Sequence, residues 1–79
     1  MSTKLYVGNL SREMNGTRLY NLFCRAGNVA SVFIPLDRVT RIPRGFALIE
    51  MASSEDAARA IWLFNGQEVD GCRLMVSVA

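Results

Sequence analysis

Apolar and polar residues alternate with period 2 in four stretches of this chain. In two others they repeat with the period of a helix. Leu5 and Val7 alternate with Lys4 and Tyr6 along Leu5–Leu10, and Gly8-Asn9 closes that strand into a loop. Leu19, Leu22, Phe23 and Ala26 fall at i, i+3, i+4 and i+7, one stripe of a helix. Asn15 is placed to cap that helix and Gly27 to stop it. Val29–Ile34 is a second strand, with Val32 and Ile34 facing inward and Ser31 and Phe33 outward. Pro35 suits its end or an edge, because it has no N–H for a ladder. Leu36–Pro43 reads as a connecting loop. Along Arg44–Met51, Ala47, Ile49 and Met51 point one way, while Arg44, Phe46, Leu48 and Glu50 point the other. Ser53 or Ser54 then caps a second helix, and Glu55 and Asp56 suit its positive end. Its buried stripe is Ala57, Ala60, Ile61 and Phe64, and Asn65-Gly66 ends it. A turn-rich connector, Gln67–Gly71, leads to a last strand over Arg73–Val78. There Leu74, Val76 and Val78 face inward, and Arg73, Met75 and Ser77 face outward.

Strand, helix, strand, strand, helix, strand is the split βαβ order of an α+β, ferredoxin-like βαββαβ sandwich. Right-handed crossovers put both helices on one face of a four-stranded antiparallel sheet. The second and third strands pair as a hairpin. The usual strand order sets the first and third strands side by side at the centre, so Tyr6 and Phe46 become neighbours on the open face, with Leu48 and Phe33 beside them. Residues 1–79 are expected to be a single domain.

Composition narrows the chemistry. At 51% hydrophobic residues, a packed core is within reach of 79 residues, and no apolar run is long enough to span a membrane. The strand pattern begins within a few residues of Met1, so no secretory leader is expected and the cytoplasm is the default location, with nucleus or organelle as alternatives. The chain has no His, and Cys24 and Cys72 have no metal-clip spacing. No metal, no other cofactor and no enzymatic activity are therefore expected, since neither an acid–base group nor a nucleophile beside a base is evident. A net charge of +2 is too small to argue for nucleic acid by itself. Its distribution says more. Arg38, Arg41 and Arg44 fall together, opposed locally by Asp37 alone.

Two readings of the outward face of Arg44–Met51 are open. One is an edge or core strand with an incidental Phe. The other is a surface that stacks bases and neutralises phosphate. Here the sequence resembles the RNA recognition motif. Leu5-Tyr6-Val7-Gly8-Asn9-Leu10 is similar to the shorter ribonucleoprotein signature, and Arg44-Gly45-Phe46-Ala47-Leu48-Ile49-Glu50-Met51 to the longer one. The resemblance implies base stacking on Tyr6 and Phe46 and a phosphate contact from Arg44. It implies rim cations at Lys4 and Arg73, and a loop bearing Arg38 and Arg41 that curls over bound RNA. Phe33 is either an extra platform or a cover for the sheet edge. Met75 shares the outward face. Three departures qualify the likeness: Leu48 where a third aromatic is common, Met51 in place of a terminal aromatic, and Arg41 where a turn Gly is frequent. The expected partner is short single-stranded RNA, or single-stranded DNA, bound by a monomer. The competing class is a protein-interaction module of the same fold, using Trp62 on the outer side of the second helix and Tyr20 at the flank of the first.

Overall fold

The computed structural model describes residues 3–42 and 44–79; Met1, Ser2 and Pro43, the last residue of the expected connecting loop, lie outside them. In order, the elements are β1 (Lys4–Gly8), α1 (Gly16–Phe23), β2 (Val29–Phe33), β3 (Phe46–Met51), α2 (Ser54–Phe64), the short β4 (Glu68–Val69) and β5 (Cys72–Arg73), and β6 (Met75–Val78). Four strands form one antiparallel sheet in the order β2-β3-β1-β6, so the first and third strands are central, as the sequence predicts. The fold is the ferredoxin-like sandwich.

One face of the sheet meets both helices. Leu5, Val7, Ala47, Ile49 and Met51 are each at most 1% exposed, and they share one core with Leu19, Phe23, Ala57, Ala60 and Phe64. Phe23 and Phe64 join the two helices through rings 4.7 Å apart. Small residues at positions 57 and 60 let α2 approach the sheet closely. Both helix starts are capped as expected. Asn15 Oδ1 accepts from the Arg18 amide at 2.9 Å, and Ser53 Oγ, rather than Ser54, accepts from the Asp56 amide at 3.1 Å.

The chain departs from the sequence reading in three places. First, the last strand is not continuous over Arg73–Val78. The buried Leu74 leaves the ladder because its amide donates to the Gln67 carbonyl and its carbonyl accepts from the Gly66 amide, each at 2.8 Å. Residues 68–73 are a second, two-stranded hairpin, with Glu68 opposite Arg73 and Val69 opposite Cys72. Its turn is Asp70-Gly71, with φ of 54° and 78°, the pair of left-handed residues that a tight hairpin turn requires. Arg18 bridges to Asp70 at 2.8 Å, and the Ser11 hydroxyl donates to the same carboxylate at 3.0 Å. The hydrogen bond from Arg18, then that from Ser11, holds Asp70 below the usual carboxylate range. Second, Val78 keeps core-side parity opposite Leu5, yet it is more than half exposed at the end of an edge strand. Third, Gly27 does not stop α1, which ends at Phe23 with Cys24 as its cap.

Gly27 serves a tertiary contact instead. A Cβ there would lie 2.7 Å from Asp56 Cβ. The Asp56 carboxylate accepts from the Asn28 amide and from Arg59, each at 3.3 Å, while Arg59 also donates to the Ala26 carbonyl at 2.9 Å. The start of α2 is thus docked onto the turn between α1 and β2 through a gap that only glycine leaves. Gly27→Ala is expected to displace Asp56 and to cost about 1–3 kcal/mol, the range for overpacking. Urea unfolding should show a lower midpoint with an unchanged slope.

Candidate nucleic-acid interface

The strand registers sort the open face into three cross-strand rows. The innermost row runs Phe33, Leu48, Tyr6, Ser77 across β2, β3, β1 and β6. On one side of it lies Phe46, Gly8, Met75; on the other lies Ser31, Glu50, Lys4. The first two rows are mostly apolar and the third is polar. Their exposure differs with position. Tyr6 and Leu48, on the central strands, are 38% and 40% exposed, whereas Phe33 and Met75, on the edge strands, reach 59% and 61%.

Tyr6 and Phe46 form a ring pair. Their centroids are 5.6 Å apart and their planes differ by 20°. A base inserted between two parallel rings needs about 7 Å, twice the ~3.5 Å contact distance of carbon atoms. The two rings therefore leave no slot for a base between them, and only their outer surfaces are open to contact. Gly8 makes this arrangement possible. It faces Phe46 across the ladder, and a Cβ on it would lie 2.9 Å from Tyr6 Cε1. The tyrosine ring lies over the glycine and so reaches the phenylalanine. Sequence reasoning treats Gly8 as a loop signal; its packing role depends on a neighbour two residues back on the same face.

The cations are spread around this pair of rings. Lys4 is exposed and stands opposite Glu50. Arg44 precedes β3, with its amide donating to the Pro35 carbonyl at 3.1 Å. Arg38 and Arg41 are exposed on the loop between β2 and β3. That loop has a built form. Asp37 Oδ1 accepts from the Val39 and Thr40 amides at 2.8 and 3.0 Å, and the Asp37 carbonyl accepts from the Arg41 amide at 3.0 Å. Those bonds from Thr40 and Val39, aided by the Arg44 charge, hold the Asp37 carboxyl below its ordinary range. Arg41 sits at φ 63°, the left-handed conformation that explains why a glycine suits the position. Its side chain borders a hollow with Arg12, Ile34 and Leu36, at the side of the sheet. Arg12 also borders a second hollow with Asp37 and Arg44. Arg73 lies on the small hairpin rather than the main sheet, and its carbonyl accepts from Asn9 Nδ2 at 2.8 Å. Asn9, at φ 61°, shapes the loop after β1, as expected.

The sequence gives no sign of Arg12, and it puts Glu50 on the open face without assigning it a role. Only the folded chain brings the loop after β1 alongside the loop after β2, so nothing local marks Arg12. Glu50 shares the parity of Phe46, and that parity is the signal that finds it. On the other side of the molecule, Trp62 is 81% exposed on α2 and Tyr20 is about half exposed on α1. A hydrogen bond with Cys24, followed by that group's charge, pushes the Tyr20 phenol up.

The RNA recognition motif family model matches residues 5–75, and the chain belongs to that family. It is 47% identical over 74 residues to a 33 kDa chloroplastic ribonucleoprotein of Nicotiana sylvestris, covering 94% of this chain and 23% of that protein. It is 41% identical over 70 residues to nuclear cap-binding protein subunit 2 of Ixodes scapularis, covering 89% and 46%. The chain thus spans between about a quarter and a half of the length of these relatives. Among solved structures, a complex of the Sxl-lethal protein with RNA superposes with a TM-score of 0.94 at 35% identity, covering 100% of this chain and 47% of that one.

The role of Gly8 can be checked directly. Gly8→Val is expected to push the Tyr6 ring away from Phe46 while the sheet persists. Loss of the nuclear Overhauser contacts between the two rings, with β1–β3 contacts retained, would show it.

Proposed function

We propose that this chain binds short single-stranded RNA on the open face of its sheet, as a monomer and without catalysing a reaction. Bases stack on Tyr6 and Phe46, while Leu48, Phe33 and Met75 extend the apolar surface beside them. Lys4, Arg38, Arg41, Arg44 and Arg73 neutralise phosphates around the rim. The observation that carries the reading is the near-parallel pair of partly exposed rings on the two central strands. Membership of the RNA recognition motif family supports it, as does the similarity to a protein solved in complex with RNA. The relatives carry chloroplastic and nuclear names as well as that of a translation initiation factor subunit, so an organelle or the nucleus stands beside the cytoplasmic location expected from the sequence.

Magnitudes determine how the affinity is shared. Stacking contributes about 1–3 kcal/mol per base, so two platforms supply roughly 2–6. Micromolar binding needs about 8. Phosphate contacts and base-edge hydrogen bonds must supply the difference, so binding should weaken steeply with salt. Phe46→Ala is expected to weaken binding to a short RNA by roughly 5- to 150-fold. An anisotropy titration that shows no loss would sink the stacking mechanism. The same titration with the matching DNA tests whether 2′-hydroxyl contacts add to stacking.

A second reading concerns the helix side, where Trp62 stands almost fully open with Leu63 next to it. Tryptophan and tyrosine are enriched among the residues that carry binding energy at protein interfaces. On this reading Trp62, with Tyr20, meets a protein partner while the sheet holds RNA. Trp62→Ala should leave RNA affinity unchanged; a large loss with the fold intact would mean that the two faces are wrongly assigned.

A further inference from the structure

The polar row of the open face is out of keeping with the rest of it. Glu50 stands in the middle of that row, opposite Lys4 on β1 and Ser31 on β2. A surface meant only for phosphate would not place a carboxylate there, since it repels the backbone. Glu50 instead borders a hollow of about 240 Å³ whose other walls are Phe33, Leu48, Ile49 and Ala79, with Lys4 and Ser31 at its polar side. That is less than the roughly 300–1,000 Å³ of a site that engulfs a whole small molecule. Its volume is on the scale of one base rather than a whole nucleotide. The carboxylate also has bonding capacity to spare. Among the described residues its one donor is the Thr3 hydroxyl, on Oε2 at 3.3 Å, long for a hydrogen bond between two oxygens. An ionised carboxylate can accept about four.

We propose that Glu50 reads the Watson–Crick edge of a guanine seated against Phe33 and Leu48. This inference rests on the RNA-binding reading above and deepens it by naming a base. Guanine presents two adjacent donors, N1–H and the N2 amino group, and a carboxylate accepts them side by side. Adenine, cytosine and uracil each turn at least one lone pair of that edge toward the carboxylate. The mismatch leaves a poorly solvated acceptor facing another acceptor, which costs more than a missing bond. Phe33 and Leu48 supply contact to the base without sequence preference, so the discrimination falls to Glu50. A bidentate pair of this kind discriminates by roughly 5- to 150-fold against the wrong base.

The test uses the full 79-residue chain and three oligonucleotides, uridine heptamers with guanosine, inosine or adenosine at the centre. Anisotropy titrations should rank them guanosine, then inosine, then adenosine, because inosine keeps N1–H and lacks the amino group. Glu50→Gln offers one donor and one acceptor, which suits adenine. Its guanosine-to-adenosine ratio should fall to near one or invert. Equal binding of guanosine and adenosine by the unmodified chain would overturn the proposal, and so would inosine binding as well as guanosine. An unchanged ratio in Glu50→Gln would overturn it too. The inosine arm needs no variant, so a folding defect in Glu50→Gln does not shield the idea. Binding of none of the three by the unmodified chain would overturn the RNA-binding reading itself, and this inference with it.

Discussion

The ladder between β1 and β3 is the constraint on which the rest of the structure depends. Its register pairs Lys4 with Glu50 and Gly8 with Phe46, and everything between follows by alternation. One parity buries Leu5, Val7, Ala47 and Ile49 under the helices. The other parity puts Tyr6, Phe46, Leu48 and Glu50 on the open side. A slip by one residue would exchange the two sets, exposing the core and burying a carboxylate. Core and candidate site are therefore specified by the same pairing. The strongest force in the fold, burial of the apolar parity, also fixes the geometry of the site.

Charged groups act at the margins of this frame. Arg18, Ser11 and Asp70 tie the start of α1 to the small hairpin, and Asp56 with Arg59 ties α2 to the turn before β2. Their arginines are open to solvent, and ion pairs with one exposed partner contribute little to global stability. Their effect is local. They hold the small hairpin that carries Arg73, and the turn before β2, in place.

Much of this was legible in the sequence because it rests on periodicity. The parities of Leu5–Val7 and Ala47–Met51, the helical stripes, and the caps at Asn15 and Ser53 all follow from local spacing. What was not legible depends on partners distant in sequence. Gly27 reads as a helix stop until Asp56 is brought against it. Asp70-Gly71 reads as a connector, although its turn chemistry could have marked a hairpin; the flanking strands are only two residues each, too short for alternation to register. Val78 has the parity of the core but lies where an edge strand runs out. Arg12 gains its place beside Arg41 and Arg44 only when two loops converge. The open face was foreseeable, with Tyr6 and Phe46 as neighbours on it, and the part of Gly8 in seating the tyrosine ring was not.

That contact has a consequence for entropy. A side chain that is free before binding and fixed afterwards costs about 0.5–1.5 kcal/mol in lost rotamers. Tyr6 and Phe46 lean on each other in the free protein, with the tyrosine lying over a glycine that admits it. Their freedom is given up during folding, when the pairing of β1 with β3 brings them together. A ligand arriving at this platform meets surfaces already in position. Phe33 and Met75, more open on the edge strands, still have their rotamers to lose. The centre of the face is preorganised and its margins are adaptable, so on the proposed RNA-binding reading bases over the centre bind in one pose and those at the edges in several.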